Sequence, residues 1–391
     1  MNRKPFERGK GMMKAGDILQ NSMGLTVEAN HPPLKPTATD NAQLHLWQNL
    51  LCNTEEERQD LANAIEDWDI IPKYSISRAA MKAARDSGGD LENFTFSFQS
   101  ERNTYNCTIY PARVEDLDGV KKSFFPSANE EILEDVLRKM ALEQQAGFFD
   151  KPNFLSGVVF SQHRLREELA KCEHTRSYQE ILLSFDIMTK CIMDIAWKDE
   201  RGNTGFIRSA FVPSLATVNK SRLKDDPKAK WVAHFHPFVT GSIDNITYRQ
   251  YNWRLGMKLK TPLARWLQKY IAIKYTFANS ANPFEMHYQT VKEKSLLFTE
   301  YTRERNGIAA LVDALTELKN QGILSSFDRR DVKGPRNKIQ DVVFTIWPSF
   351  DFVKEVKAAN RRQRDALQTM NVVGSSSGSR QIPVGRGGGS R

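Results

Sequence analysis

One unusual unit occurs twice along this chain, and that repetition limits what it can fold into. Each copy reads as an amphipathic helix, a short strand, a short helix, a second amphipathic helix with a basic start, and a turn-rich β-hairpin. The first copy spans about residues 129–218 and the second about 261–348. That order of elements is a winged helix. Two of them on a basic chain imply a grip on duplex DNA over more than one helical turn.

In the first copy, the run 129–145 has Ser127 or Asn129 as N-cap candidates and carboxylates in its first turn. Ile132, Val136 and Met140, with Leu133 and Leu137, recur at helical spacing, and Gly147 is expected to close the helix. Gly157 to Ser161 is short, apolar and β-branched, which predicts a strand. Ser161 then caps a helix over 162–171. The next helix, 178 to about 195, carries Ile181, Leu182, Phe185, Met188 and Ile192 on one face. Residues 197–207 read as strand, polar turn, strand: a wing.

The second copy has the same grammar. Thr261 caps and Pro262 fills the first position of a helix to about 277. A strand over 284–288, a helix over about 290–298 and a helix over 303–320 follow. Ile308, Leu311, Val312, Leu315 and Leu318 point inward on the last, and Gly322 ends it. Wing strands are expected over 323–327 and 341–347, around a tip at 328–338.

That tip carries Arg329, Arg330, Lys333, Arg336 and Lys338 on a Gly-Pro loop that cannot bury them. A phosphate backbone rewards such a cluster through charge pairing and counterion release. The plainer reading is a solvated hairpin tip. DNA is the preferred partner because the preceding helix opens with Arg303, Arg305 and Asn306, where a recognition helix would meet the major groove. Lys292 and Lys294 lie just ahead of it. The first copy's counterparts are Arg176, Ser177 and Gln179 at the helix start, Lys190 at its end and Arg201 in the wing.

Charge distribution points the same way. The net charge is +9, yet residues 321–391 hold 13 basic and 6 acidic residues, whereas the first 320 hold 43 and 41. The long-range field therefore comes from the second wing and the tail. No apolar run approaches the roughly 18 residues of a spanning helix, and no signal peptide is evident, so no membrane partner and a cytoplasmic location are expected. Cys52, Cys107, Cys172 and Cys191 show no metal-binding spacing, consistent with a reducing compartment and no metal.

Enzyme signatures are missing: there is no phosphate-binding loop and no nucleophile elbow. No catalytic residue and no cofactor are expected. One enzymatic rival remains. His234-Phe-His236 has the His-hydrophobic-His pattern of rolling-circle nucleases, with Tyr248, Tyr251, Tyr270 and Tyr275 as candidate nucleophiles by position. The plainer reading is an interdomain strand with partly exposed histidines. A winged-helix transcriptional regulator is the non-enzymatic alternative.

Four segments carry a family resemblance: Phe125 to Arg138, Ile246 to Leu255, Leu259 to Tyr270, and Tyr301 to Asn306 followed by Leu311 to Gly322. Together, over roughly residues 43–347, the chain resembles plasmid replication initiators of the TrfA/RepA type. The resemblance implies sequence-specific binding to repeated origin sequences (iterons) through two winged-helix domains, local melting, and recruitment of a host helicase or its loader. It also implies a homodimer through the first domain's sheet, for which 93–98 and 105–110 would form the hairpin. Gln43-Leu44-His45-Leu46-Trp47 is similar to the pentapeptide by which such initiators dock on the polymerase sliding clamp, with Trp in place of Phe. The plainer reading is one face of a short helix packing on its own domain.

The expectation is therefore an α+β chain of two tandem winged-helix domains with flexible N- and C-terminal extensions. Residues 1–40 are expected to be disordered, and 41–88 to form a short helical partner-docking segment. The two domains would span 89–243 and 244–350. A basic helix over 351–373 and a disordered Gly/Ser/Arg tail over 374–391 complete the chain.

Overall fold

Ser and Thr caps decide where several helices begin. The computed structural model describes residues 40–377, apart from 51, 53, 101–102, 144, 218–227 and 336–338. The stretches expected to be disordered, up to 39 and beyond 377, lie outside the described residues. The N-terminal segment comprises α1 (Asp40–Gln48), α2 (Glu55–Asp60, capped by Thr54), β1 (Leu61–Ile65), α3 (Glu66–Ile70) and α4 (Arg78–Asp86, capped by Ser77). Strands β2 (Phe94–Gln99), β3 (Asn103–Tyr110), β4 (Ala112–Glu115) and β5 (Lys121–Phe124) precede the first copy.

That copy contains α5 (Ala128–Ala141), β6 (Gly147–Asp150), β7 (Leu155–Ser161), α6 (Gln162–Lys171), α7 (Tyr178–Lys190), β8 (Ile192–Asp199) and β9 (Thr204–Ala210). Capping boxes start α5 (Ser127 with Glu130) and α7 (Ser177 with Glu180). The connection consists of β10 (Leu215–Thr217), β11 (Lys230–His234), α8 (Pro237–Asn245), β12 (Tyr248–Asn252) and α9 (Trp253–Met257). The second copy contains α10 (Pro262–Lys274), β13 (Phe284–His287), α11 (Tyr288–Ser295), α12 (Glu304–Asn320), β14 (Leu324–Lys333) and β15 (Ile339–Pro348), and α13 (Phe350–Ser377) follows. The chain is α+β.

The two copies share their order of elements but not their strand pairing. In the second, β13 pairs with β15, which pairs with β14, so the strand between its first two helices closes onto the hairpin after its third. In the first, β7 lies between β6 and β11, and the hairpin β8–β9 instead extends β2–β3 into a four-stranded sheet. The expectation of one unit used twice is corrected to that extent. Two causes are visible. Gly157 lets β7 press against β11, where an added Cβ would lie 2.2 Å from the Ala233 carbonyl oxygen. Met193 and Ile195 of β8 stand opposite Ile109 and Cys107 of β3, and all four are buried.

Several boundaries move for local reasons. Helix α5 ends at Ala141, because Gly147 opens β6 where a Cβ would collide with the Ala141 carbonyl. Helix α7 ends at Lys190, because the alternation from Ile192 onward belongs to the sheet. As expected, helix α12 stops at Asn320, just before Gly322, whose φ of 74° lets Ile323 N–H donate to Leu318 O and Gly322 N–H to Lys319 O. The second hairpin's strands are longer than expected, so Arg329, Arg330 and Lys333 lie in β14 rather than in a loop.

A buried ionic seam joins the copies through the first helix of each. From α5, Glu131 accepts from Arg265 of α10 at 3.0 Å, and Asp135 accepts from Lys269 at 2.7 Å. Arg138 bonds Asp135 and reaches Asp69 of α3 at 2.6 Å. Burial opposes charge on Asp69, yet Arg138 and Lys269 hold its carboxyl well below the usual range. The N-terminal segment is less helical than expected, because β1 pairs antiparallel with β12. Helix α13 buries one face, at Phe352, Val356, Ala359, Arg362 and Ala366. Its Arg362 is only 8% exposed and donates to Asn63 of β1 and to the Leu46 and Trp47 carbonyls, while its Glu355 accepts from Asn252 of β12, so the helix fastens β1 and β12 to α1.

Candidate nucleic-acid interface

Three elements of the second copy meet around α11. At its N-terminal end, Asp341 of β15 accepts from Gln289 N–H at 3.2 Å and pairs with His287 at 2.7 Å. At its C-terminal end, Lys292 pairs with Glu304 in the first turn of α12. The start of α12 and the β14–β15 hairpin are thereby braced on one short helix. Asp341 stands opposite Val332, so Lys333 lies just past this brace, while Arg329 and Arg330 lie before it, opposite Phe344 and Val343.

Arg303 occupies the N-cap of α12 without a side-chain cap bond, and Arg305 and Asn306 follow in the first turn, all exposed. The first-turn amides are consequently not closed by a capping side chain, an arrangement suited to an anion. Among the described residues Arg303, Arg305, Arg330 and Lys333 enter no ion pair, whereas Arg329 bonds Asp331 at 2.8 Å. Lys292 is spent on Glu304, and Lys294 lies 5.8 Å from the Tyr270 ring centroid. Arg336 and Lys338 lie outside the described residues. Sequence reasoning did not select Tyr301, which is 43% exposed two residues before Arg303. Its position in that basic run was the available signal.

The first copy presents a different surface. Arg176 is half-buried and donates to Asn129 at 2.8 Å. Ser177 is engaged in its capping box, donating to Glu180 at 2.9 Å and accepting from Glu180 N–H. Gln179 is exposed. Lys190 pairs with Asp186 at the opposite end of α7, about 18 Å away at 1.5 Å per residue, and so belongs to no common contact with Arg176. Arg201 is exposed at the β8–β9 tip but shares it with Asp199 and Glu200, so the tip offers no cationic cluster.

The clamp-like pentapeptide turns inward. Gln43 and Trp47 are each 1% exposed, Trp47 packs edge-on against Tyr248 at 4.8 Å, and Leu44 and Leu46 are partly buried against the same core. A clamp could take this segment only if α1 left the fold. The two histidines of the His-hydrophobic-His pattern belong to different elements. His234 is in β11 with its ring edge-on to Phe148, but His236 lies beyond the strand and caps α8. His236 Nδ1 accepts from Phe238 N–H, and its ring stacks on Trp68 at 4.3 Å. Burial, with the Lys73 charge, pushes its pKa down to about 3. With Nδ1 accepting, the ring proton sits on Nε2, leaving no free lone pair for a metal. Tyr248, Tyr251, Tyr270 and Tyr275 are all buried, and no metal-ligand cluster occurs among the described residues. No helix is long and apolar enough to cross a membrane among the described residues.

No known protein family and no curated protein matches the chain. Among solved structures, domains 2 and 3 of RctB superpose with a TM-score of 0.42 at 10% identity, covering 67% of this chain and 92% of that one. The Pi initiator protein, solved in complex with iteron DNA, superposes with a TM-score of 0.33 at 11% identity, over 75% of this chain and 99% of that one. Scores of this size do not establish a common fold.

Proposed function

We propose that the chain is a sequence-specific, non-enzymatic double-stranded DNA-binding protein that acts as a replication initiator at repeated origin sequences. The observation that carries the DNA reading is the set of exposed cations at the open start of α12 and along β14, braced together by α11. In this reading the second copy is a winged helix. Arg303, Arg305 and Asn306 reach base edges and the adjoining phosphates in one major groove, while Arg329, Arg330 and Lys333 lie along the backbone. The first copy contributes Arg176 and Gln179 to a neighbouring segment. The resemblance of residues 43–347 to plasmid initiators makes an origin the target; local melting and recruitment of a host helicase or its loader would follow binding.

The test is a gel-shift titration of the full chain against its own upstream DNA, with excess nonspecific competitor and with Mg²⁺ or Mn²⁺ present. Laddered, competitor-resistant complexes on intact DNA are expected where repeats of about 20 base pairs are present. A single complex on an unrepeated promoter would favour a transcriptional regulator. Metal-dependent nicking with a covalent adduct would overturn the non-enzymatic reading.

A further inference from the structure

We propose that the two DNA-reading helix starts form a rigid caliper, so that binding depends on the spacing between two contacted DNA segments as well as on their sequence. This rests on the DNA-binding reading above. A continuous set of polar contacts joins the start of α12 to the start of α7. Glu300, three residues before Arg303, bonds the Ser77 hydroxyl at the start of α4. The next residue, Arg78, donates to Ser127 at 3.1 Å and pairs with Glu130 at 2.7 Å, at the start of α5. Asn129 of that same helix start accepts from Arg176 at 2.8 Å. On the other side, His174, two residues before Arg176, is 2.9 Å from the Met257 carbonyl, just ahead of α10.

Behind these struts lies the buried seam of Glu131, Asp135, Arg265 and Lys269, which leaves α5 and α10 little freedom to slide. The connection between the copies does not behave as a loose tether either. Its β12 is hydrogen-bonded to β1, and Trp253 and Met257 of α9 are buried. Such a body cannot follow its target when base pairs are inserted. Each added pair moves one segment along the axis and rotates it by about a tenth of a turn, and DNA this short is too stiff to absorb the error. A flexible tether would forgive a full helical turn, because both segments return to the same face. A caliper forgives neither a half turn nor a full one.

The experiment uses the full chain and its own upstream DNA. Hydroxyl-radical footprinting first locates the protected segments, and gel shifts then follow insertions of 2, 5 and 10 base pairs between them. The expected result is a loss of about 10-fold at 2, 5 and 10 base pairs alike, the full value of the α7 contacts. Affinity as tight at 10 added base pairs as at native spacing would overturn the caliper while leaving the DNA reading intact. Two separate segments failing to appear in the footprint would also overturn it, and no protection anywhere would remove the DNA reading itself. In the double variant Ser77→Ala/Arg78→Ala, checked for unchanged melting, the penalty at 2 base pairs should shrink at least threefold. An undiminished penalty there would overturn the assignment of Ser77 and Arg78 as positioning residues, and the wild-type series decides the rest without any variant.

Discussion

The two copies differ most at the starts of their last helices, α7 and α12. Helix α7 is closed by its own side chains: Ser177 and Glu180 satisfy each other and the first amides, and the Glu180 carboxylate is held below its usual pKa by those bonds. Helix α12 begins at Arg303 with no capping side chain and adds Arg305 within its first turn. A self-capped start is a stable start, but it has placed an anion where a phosphate would sit. The α12 start also carries an anion, Glu304, but that carboxylate is paired with Lys292 rather than turned back on the first amides, and Arg303 and Arg305 stand exposed beside it. The hairpins repeat the contrast. The β8–β9 tip folds Asp199 onto the Arg201 and Asn203 amides, whereas β14 displays its cations outward. One order of elements therefore holds a self-capped helix start in one place and an uncapped start beside exposed cations in another.

If the seam makes one body of the two copies, its loss should produce the largest effect. Lys269→Met leaves Asp135, Asp69 and Glu131 facing one another with one cation fewer, and should cost about 3–5 kcal/mol in denaturant unfolding. Lys292→Met, which breaks the exposed pair with Glu304, should cost no more than about 0.5 kcal/mol. Similar costs for the two would mean that the seam does not join the copies as described. Next in size is DNA affinity. Arg303→Ala/Arg305→Ala should weaken specific binding by about 100-fold, since a good base contact is worth about 1–3 kcal/mol. The matched pair Arg176→Ala/Gln179→Ala should cost about 10-fold or less, and the reverse order in a gel-shift titration would invert the comparison.

How much of this could be read from the sequence follows from the range of the forces involved. Helix starts were legible where a cap is local, as at Ser161 and Thr261, and so was the stop at Gly322. Strand partners were not, because pairing is decided by distant segments. Nothing within 157–207 indicates that β7 would pair with β11 or that β8 would find β3. The cations of the second hairpin were visible as a cluster, yet Ser177 and Lys190 looked equally available until their partners Glu180 and Asp186 came into place. The strut of Ser77, Arg78 and Glu300 joins residues 223 positions apart and left no local sign.

Smaller effects separate the hairpins further. Arg329→Ala/Arg330→Ala/Lys333→Ala should lower the slope of log affinity against log salt by about 2–3, because each phosphate that is no longer neutralised removes about 0.9 from it. Arg201→Ala should leave that slope unchanged in the same titration, because the first hairpin has no cluster to lose. A fall of about 1 with Arg201→Ala would show that the β8–β9 tip does lie on the backbone.

The smallest effect tests a feature with no counterpart in the first copy, helix α13. Its Glu355 receives a hydrogen bond from Asn252 of β12 at 2.8 Å, yet burial, helped by the Asp351 charge, pushes the carboxyl up to about 7. A carboxyl raised in the fold above its unfolded value of about 4.3 favours folding while it is protonated. That contribution is complete below the unfolded value and is lost as pH rises through about 7. Glu355→Gln, which keeps a neutral side chain in the same place, should therefore match the wild type at about pH 4 and melt on the order of 1–2 °C higher at about pH 8. An equal gain at both values would assign the effect to the amide rather than to the charge. Because α13 fastens β12 and α1 and not the start of α12, the same variant should change DNA affinity at fixed pH by less than about twofold. A larger change would mean that the joint and the reading helix are coupled.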